Sequence, residues 1–94
     1  RGRRMIEEKS GQLYAYYGLV TSTFAGNSDL NVTVPTPTGC TKIIALIPIG
    51  YTPASTWATS LVFREVGLST QKIFIHTNGS TSQQYTIRYL LLYV

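Results

Sequence analysis

The residues that could take part in acid–base chemistry are few. Glu7, Glu8, Asp29 and Glu65 are the carboxylates of the chain, and His76 is its one histidine. A glycosidase needs two carboxylates that face each other across the substrate, but Glu7 and Glu8 are adjacent and point to opposite sides of any strand. Asp29 ends a turn cluster, where a carboxylate commonly bonds backbone amides. We therefore expect no carboxylate pair that hydrolyses glycosides.

Nucleophilic and metal-dependent catalysis have equally little support. A Ser-His-Asp arrangement has His76 as its single possible base, and we interpret this residue as a surface or interface histidine. Cys40 follows a proline-rich loop and has no basic neighbour except Lys42, so we interpret it as a small buried thiol. One cysteine and one histidine exclude an internal disulfide and most structural zinc sites. The sequence predicts a protein that is not an enzyme and that uses no metal and no cofactor.

Aromatic residues carry the clearest signal for ligand binding. Sugar rings stack their C–H faces on Trp and Tyr, and polar neighbours bond the hydroxyls, so that apolar walls and a few polar groups make a pocket. Tyr51 and Trp57 flank the loop at residues 50–56 and are the predicted platform. Arg64, His76 and Asn78 are the predicted polar partners. The alternative is that Trp57 anchors the core or an interface.

A second group of aromatic residues lies nearer the start of the chain. We interpret Tyr14, Tyr16 and Tyr17 as packing residues at a sheet face or subunit contact. They are the next candidates for a sugar platform if Tyr51 and Trp57 do not serve as one.

Charge and hydropathy exclude two classes of partner. Charged residues make up 13% of the 94 residues, against roughly 25% in an average domain. From Ser10 onward four positive and two negative side chains leave a net charge of +2, so no basic face for nucleic acid is expected. The longest apolar runs, at residues 43–49 and 89–94, are far shorter than the roughly 20 residues that span a bilayer. We expect neither nucleic-acid binding nor membrane insertion.

The pattern of strands and turns predicts one all-β domain. Val, Ile, Thr and Tyr favour strands, and turn signals recur every 8–12 residues, the spacing of a sandwich or barrel. About seven strands are expected in an antiparallel β-sandwich of the jelly-roll or lectin-like kind. We place the head domain at residues 10–94 and interpret residues 1–9 as a linker or shaft end, within which residues 5–9 could form a short strand. The main strands are expected at residues 12–24 (continuous or as a pair), 30–34, 41–49, 57–66, 72–77 and 84–94.

The last strand suggests self-association. Its second half is apolar on both faces, whereas a sheet of a two-layer sandwich has one inner face. A neighbouring subunit is the simplest cover for the second face. We therefore predict a trimer interface formed by Tyr89, Leu90, Leu91 and Leu92.

The order of these features resembles the C-terminal receptor-binding heads of phage tail fibres and tail-spike-like proteins. Lys9-Ser10-Gly11 forms a turn into an aromatic strand, and a strand that Pro35 ends follows. An apolar strand at 42–49 precedes Trp57, and an Ile–x–x–Asn turn, here Ile75 to Asn78, leads to a hydrophobic final strand. The likeness covers residues 9–94.

This resemblance implies a function. It suggests a trimeric, lectin-like head on the virion tail that attaches to host cell-surface carbohydrate without catalysis, as an extracellular protein. Two other interpretations stay open. The domain could be a structural trimerisation cap that binds nothing, or a trimeric jelly roll of the tumour necrosis factor or complement type that binds a protein receptor.

Overall fold

The computed structural model describes residues 3–8, 11–54 and 60–94, with side chains from residue 12 onward within these ranges. In this part of the chain the regular structure is all β-strand, and no helix is long and apolar enough to cross a membrane. The strands are β1 (Arg3–Glu8), β2 (Gly11–Phe24), β3 (Asp29–Thr33), β4 (Ile43–Pro53), β5 (Leu61–Gly67), β6 (Lys72–Thr77) and β7 (Gln83–Tyr93).

The strands form two antiparallel sheets. The four-stranded sheet has the order β1-β2-β7-β4, and the three-stranded sheet has the order β3-β6-β5. β5 and β6 form a hairpin, whereas every other connection after β2 crosses from one sheet to the other. Strands β2 and β7 are therefore neighbours in one sheet while β3 and β6 are neighbours in the other.

The segment that the sequence assigned to a linker or shaft end belongs to the four-stranded sheet. Residues 3–8 form the edge strand β1, and they pair with residues 11–16 of β2 in an antiparallel register. The segment is therefore hydrogen bonded to the rest of the sheet.

β2 is one continuous strand of 14 residues, which settles whether residues 19–24 continue it or pair with it. Gly18 permits this run because the ring of Tyr89 lies directly over it. A Cβ atom at position 18 would stand 2.4 Å from the Tyr89 ring, closer than real side chains approach. Glycine is thus required by the neighbouring tyrosine.

The core lies between the two sheets and follows the alternation in the sequence. The odd-numbered residues of β7 from 85 to 93 are 0–2% exposed, and Ile73 and Ile75 of β6 are fully buried. Alternation with period two places every second side chain on the inner face. The buried cluster comprises Phe24, Val32, Val34, Leu46, Leu61, Ile73, Ile75, Tyr85, Ile87, Tyr89, Leu91 and Tyr93.

In β4 the side-chain alternation is interrupted. The sequence pattern sets Ile43 with Ala45 and Ile47 on one side of the strand. In the structure Ile43 lies opposite the buried Tyr93, whereas Ile47 lies opposite Leu90 on the outer face. β-bulges after Ile43 and after Pro48 insert extra residues, and each extra residue reverses the parity of the residues after it.

β5 is shorter than the sequence pattern indicates. Its described residues begin at Leu61, and Trp57, which was expected to open this strand, lies outside the described residues. The pairing of β5 with β6 shifts between Phe63 and Glu65. Arg64 is the extra residue at this bulge.

Candidate functional site

Two of the predicted polar residues meet on the outer face of the three-stranded sheet. Asp29 lies directly opposite His76 across the β3–β6 pair. The Asp29 Oδ1 atom is 2.8 Å from His76 Nδ1 and 3.2 Å from the Arg64 guanidinium. The bulge in β5 gives Arg64 a position from which it reaches Asp29. Sequence reasoning had treated Asp29 as a turn residue and missed it as the centre of this cluster.

The electrostatics of this cluster are those of a surface ion-pair network. The hydrogen bond from His76, and after it the charge of Arg64, hold the Asp29 pKa below its ordinary value. The carboxylate and the guanidinium are both more than half exposed, so solvent screens their attraction. In the described part of the chain, no Ser, Thr or Cys side chain is hydrogen bonded to His76.

The other predicted ligand residues do not share that surface. Asn78 is exposed and donates a hydrogen bond to the Ser60 side chain over 3.0 Å. Tyr51 points between the two sheets, where its hydroxyl accepts a hydrogen bond from the Leu61 amide. Its ring meets those of Phe63 and Tyr85 at centroid distances of 6.2 and 5.8 Å.

Tyr51 and Asn78 thus form hydrogen bonds with two successive residues at the start of β5, Leu61 and the preceding Ser60. The three-stranded sheet separates Tyr51 from Arg64 and His76, however, so these residues do not line one pocket. The role of Trp57 as a sugar platform stays a prediction, because that residue lies outside the described part of the chain.

A cavity of about 340 Å³ lies elsewhere, beside the first half of β2. It is bounded by two tyrosine rings and by the loop that follows β3, and we name it the tyrosine cavity: Tyr16, Pro35, Thr36, Pro37, Thr38 and Tyr93. Aromatic and proline rings give it apolar walls, and the two threonines supply hydroxyl groups. None of its described lining residues is charged.

Hydrogen bonds hold the loop at residues 35–42 at both of its ends. Gln71 donates from Nε2 to the Val34 carbonyl and accepts from Thr36 Oγ1. At the other end, the amides of Thr41 and Lys42 donate to the Val94 carbonyl. Gln71 has a φ of 57°, a left-handed conformation that closes the turn between β5 and β6. The wall of the cavity is therefore formed before any ligand arrives.

Tyr93 has a polar group that the fold leaves unused. Its side chain is 2% exposed, and its hydroxyl is buried without a hydrogen-bond partner among the described residues. Its ring stacks on that of Tyr14 at 5.5 Å. A buried donor without a partner costs about 1–3 kcal/mol, so native structures rarely keep one without a reason.

Burial also affects the phenol of Tyr89, which contacts the cavity residue Tyr16. The two ring centroids are 6.4 Å apart. Desolvation, and after it the nearby Tyr16 hydroxyl, raise the pKa of Tyr89 above its ordinary value. The Tyr89 phenol is thus neutral at physiological pH.

A second cavity, of about 460 Å³, adjoins the same loop. Thr36 borders both cavities, and Lys42 supplies a positive charge to the second one alone. We name it the lysine cavity. Its wall also includes Cys40, Thr41, Ile43, Leu68, Ser69 and Gln71.

The outer face of the four-stranded sheet carries exposed apolar side chains. Leu90 of β7 lies between Tyr17 of β2 and Ile47 of β4. Side chains on this face are between 39% and 54% exposed at four positions. We name this surface the apolar face, and it consists of Tyr17, Leu19, Ile47, Ile49, Leu90 and Leu92.

The predicted interface residues of β7 divide between its two faces. Leu90 and Leu92 belong to the apolar face and are half-buried, whereas Tyr89 and Leu91 are 1% and 0% exposed in the core. The side chains of Tyr89 and Leu91 are covered by the chain itself and have no surface left for a partner. The interface prediction is therefore wrong for these two residues, since neighbours in a strand point in opposite directions.

Comparison of the chain with models of protein families, with curated proteins and with solved structures finds no match. Within the described residues, no three His, Cys, Asp or Glu side chains are grouped so that they could hold a metal ion.

Proposed function

We propose that this chain is a non-catalytic attachment domain of the phage-type receptor-binding proteins that its sequence resembles. It assembles as a homotrimer on the virion tail, and its ligand is a host cell-surface saccharide. The observation that carries the proposal is the apolar face of the four-stranded sheet.

The order of the strands supports a jelly-roll sandwich as the fold. In a jelly roll, a long antiparallel ribbon is rolled up so that its outer and inner strand pairs lie in different sheets. The pairs β2–β7 and β3–β6 have this nested relation. Both sheets also contribute to a single buried cluster.

The apolar face supports self-association. Monomers seldom expose contiguous apolar surface of this kind, and such a patch commonly marks an interface. Its members come from three adjacent strands and are uncharged. Arg88 lies on the same face, opposite Leu19 of β2 and Gly50 of β4, and donates a hydrogen bond to Thr52. A second and third copy of the chain offer the same apolar side chains, whose burial is favourable, whereas Arg88 must keep its bond to Thr52 or its contact with water.

Light scattering tests the assembly. The protomer has a mass of 10.4 kDa, and the unmodified protein is expected at three times this value. Ile47→Glu and Ile49→Glu each place a charge in the apolar face, where burial of a charge is strongly unfavourable. Both residues are about half exposed in the single chain, so the protomer is expected to fold and remain monomeric.

Val62→Glu is the matched control for this experiment. Val62 is 48% exposed on the outer face of the three-stranded sheet, away from the apolar face, and this variant is expected to assemble normally. A folded monomer of the unmodified protein at micromolar concentration would refute the proposed trimer.

A glycan array with the assembled protein separates the proposal from its two alternatives. Binding to saccharides is the expected result. A protein that binds no glycan and no cells would be a trimerisation cap, and a protein that captures a purified host receptor independently of its glycans would favour the signalling type of jelly roll. Either outcome would overturn the proposed attachment to carbohydrate.

A further inference from the structure

We propose that the lysine cavity is the subsite for one acidic sugar unit of the host saccharide, and that Lys42 binds the carboxylate of that unit. This inference rests on the proposed function, because it names the class of saccharide and the place where it binds. It assigns the site to the loop at residues 35–42 and to the turn at residues 68–71, and not to Tyr51.

Two segments from different parts of the chain form the walls of this cavity. The loop at residues 35–42 leads into β4, and the turn at residues 68–71 joins β5 to β6. Gln71 connects them, because it accepts a hydrogen bond from Thr36 Oγ1 over 3.0 Å and donates one to the Val34 carbonyl over 2.8 Å. The two walls are therefore linked directly, so little ordering of the chain accompanies binding.

The acidic side chains of the protein leave the charge of Lys42 available. The chain has four of them. Asp29 belongs to the ion-pair cluster on the outer face of the three-stranded sheet, and Glu65 lies in register with Phe74 on that same face. The other two belong to β1, which is separated from β4 by three strand spacings, or about 14 Å. Within the described residues, Lys42 thus has no ion-pair partner.

The remaining wall suits a sugar ring. Thr36 and Thr41 donate their hydroxyl hydrogens to Gln71 and to the Val94 carbonyl, and their oxygens keep lone pairs that accept hydrogen bonds from sugar hydroxyls. Leu68 is 44% exposed and offers apolar surface to the C–H groups of a ring. The volume of about 460 Å³ lies within the range for small-molecule sites, roughly 300–1,000 Å³.

One lysine matches one carboxylate. A carboxylate carries a single negative charge, whereas a phosphate monoester carries about −1.5 to −2 and would keep part of its charge uncompensated beside Lys42. Because Lys42 is exposed, water screens the attraction. A single acidic unit is therefore expected to bind weakly, with a Kd on the order of millimolar.

NMR titration of the ¹⁵N-labelled assembled protein tests the site. The probes are the methyl glycosides of glucuronic acid and N-acetylneuraminic acid. Methyl glucoside is the neutral comparison, acetate supplies a carboxylate without a ring, and inorganic phosphate is the second anion. The amide signals of Lys42, Leu68 and Ser69 should shift together with at least one acidic glycoside, at a Kd about 2- to 5-fold lower than with methyl glucoside, which is the contribution of one exposed ion pair.

Three variants separate the site from the fold. Lys42→Gln removes the charge and should weaken binding of the acidic glycoside about 2- to 5-fold, to the level of methyl glucoside. Lys72→Gln is the matched control, because Lys72 lies opposite Thr33 and Gly67 and outside the cavity, and it should bind as the unmodified protein does. Ser69→Trp, at an exposed position of the turn, should fill the cavity and abolish the shifts.

The outcomes distinguish this inference from the proposed function. If the unmodified protein binds glycans in the array but Lys42→Gln and Ser69→Trp bind the acidic glycosides equally well, the attachment function stands and this site is wrong. Tighter binding of phosphate, acetate or methyl glucoside than of both acidic glycosides would also overturn the site. If the unmodified protein binds no glycan in the array, the proposed function itself is wrong.

Discussion

Replacing Tyr93 with phenylalanine removes one oxygen atom from a buried position and leaves the ring in place. The Tyr93 hydroxyl has no hydrogen-bond partner among the described residues. The ring is stacked on Tyr14 at 5.5 Å, and phenylalanine preserves this contact. The variant therefore removes an unfavourable group and keeps the favourable packing, so Tyr93→Phe is expected to raise the free energy of unfolding.

The size of this gain follows from the desolvation of the hydroxyl. An unsatisfied buried polar group costs about 1–3 kcal/mol, and the variant should recover a gain in this range. In a domain of this length each kcal/mol moves Tm by about 4–8 °C. Few tyrosine-to-phenylalanine changes in a core are expected to stabilise, so the sign of the effect is as informative as its size.

Urea unfolding at a fixed protomer concentration measures the change, because assembly makes stability depend on concentration. Tyr51→Phe is the matched control: its hydroxyl accepts from the Leu61 amide over 3.3 Å, and losing that bond should lower stability by about 0.5–1.5 kcal/mol. If Tyr93→Phe lowers stability as the control does, the Tyr93 hydroxyl has a partner in the folded protein and the reasoning fails.

Three further perturbations test the fold. Gly18→Ala should lower the free energy of unfolding by about 1–3 kcal/mol, because the added methyl group overpacks against the Tyr89 ring. Gly50→Ala is the control and should leave the urea midpoint unchanged, since its added Cβ would meet its nearest neighbour at 3.5 Å. Equal midpoints for the two variants would contradict this packing. Thr77→Val should cost about 1–3 kcal/mol, since the buried Thr77 hydroxyl bonds backbone groups of the turn before β3, and the exposed Thr21→Val serves as its control. Because the Asp29 pKa is lowered in the folded protein, the unfolded chain binds more protons in acid. The stability that the ionised Asp29 contributes is therefore fully present above the ordinary carboxyl pKa, and it is lost as the pH falls through the lowered pKa of the folded state. Asp29→Asn should reduce the slope of stability against pH in that window, and an unchanged slope would show that the cluster does not form.

The final strand shows which structural features local sequence patterns can predict and which they cannot. Alternation with period two is a property of the strand itself, so residues 84–94 and 72–77 could be recognised as strands with two distinct faces. Which face is inner depends on the second sheet. Because both faces of the second half of β7 are apolar, the sequence offered no basis for separating Leu90 from Leu91, and all of residues 89–92 were assigned to one interface.

The candidate site shows the same limit. Tyr16 and Tyr93 were visible as aromatic residues on strands, and the Pro-Thr-Pro-Thr segment was visible as the end of a strand. Their meeting depends on contacts between residues more than 50 positions apart. The alternation of threonines with prolines indicated a rigid loop rich in hydroxyl groups. No local pattern, however, indicates which residues this loop faces.

The sequence by itself determined the β-class of this protein and most of its strand positions. These properties depend on residue type and on neighbours along the chain. Only the tertiary structure decided the order of the strands, the reversed parity in β4, the meeting of Asp29 with Arg64 and the inward position of Tyr51. A bulge or a strand pairing changes which side of a sheet a residue occupies, and its energy lies in contacts with distant residues that no local pattern records.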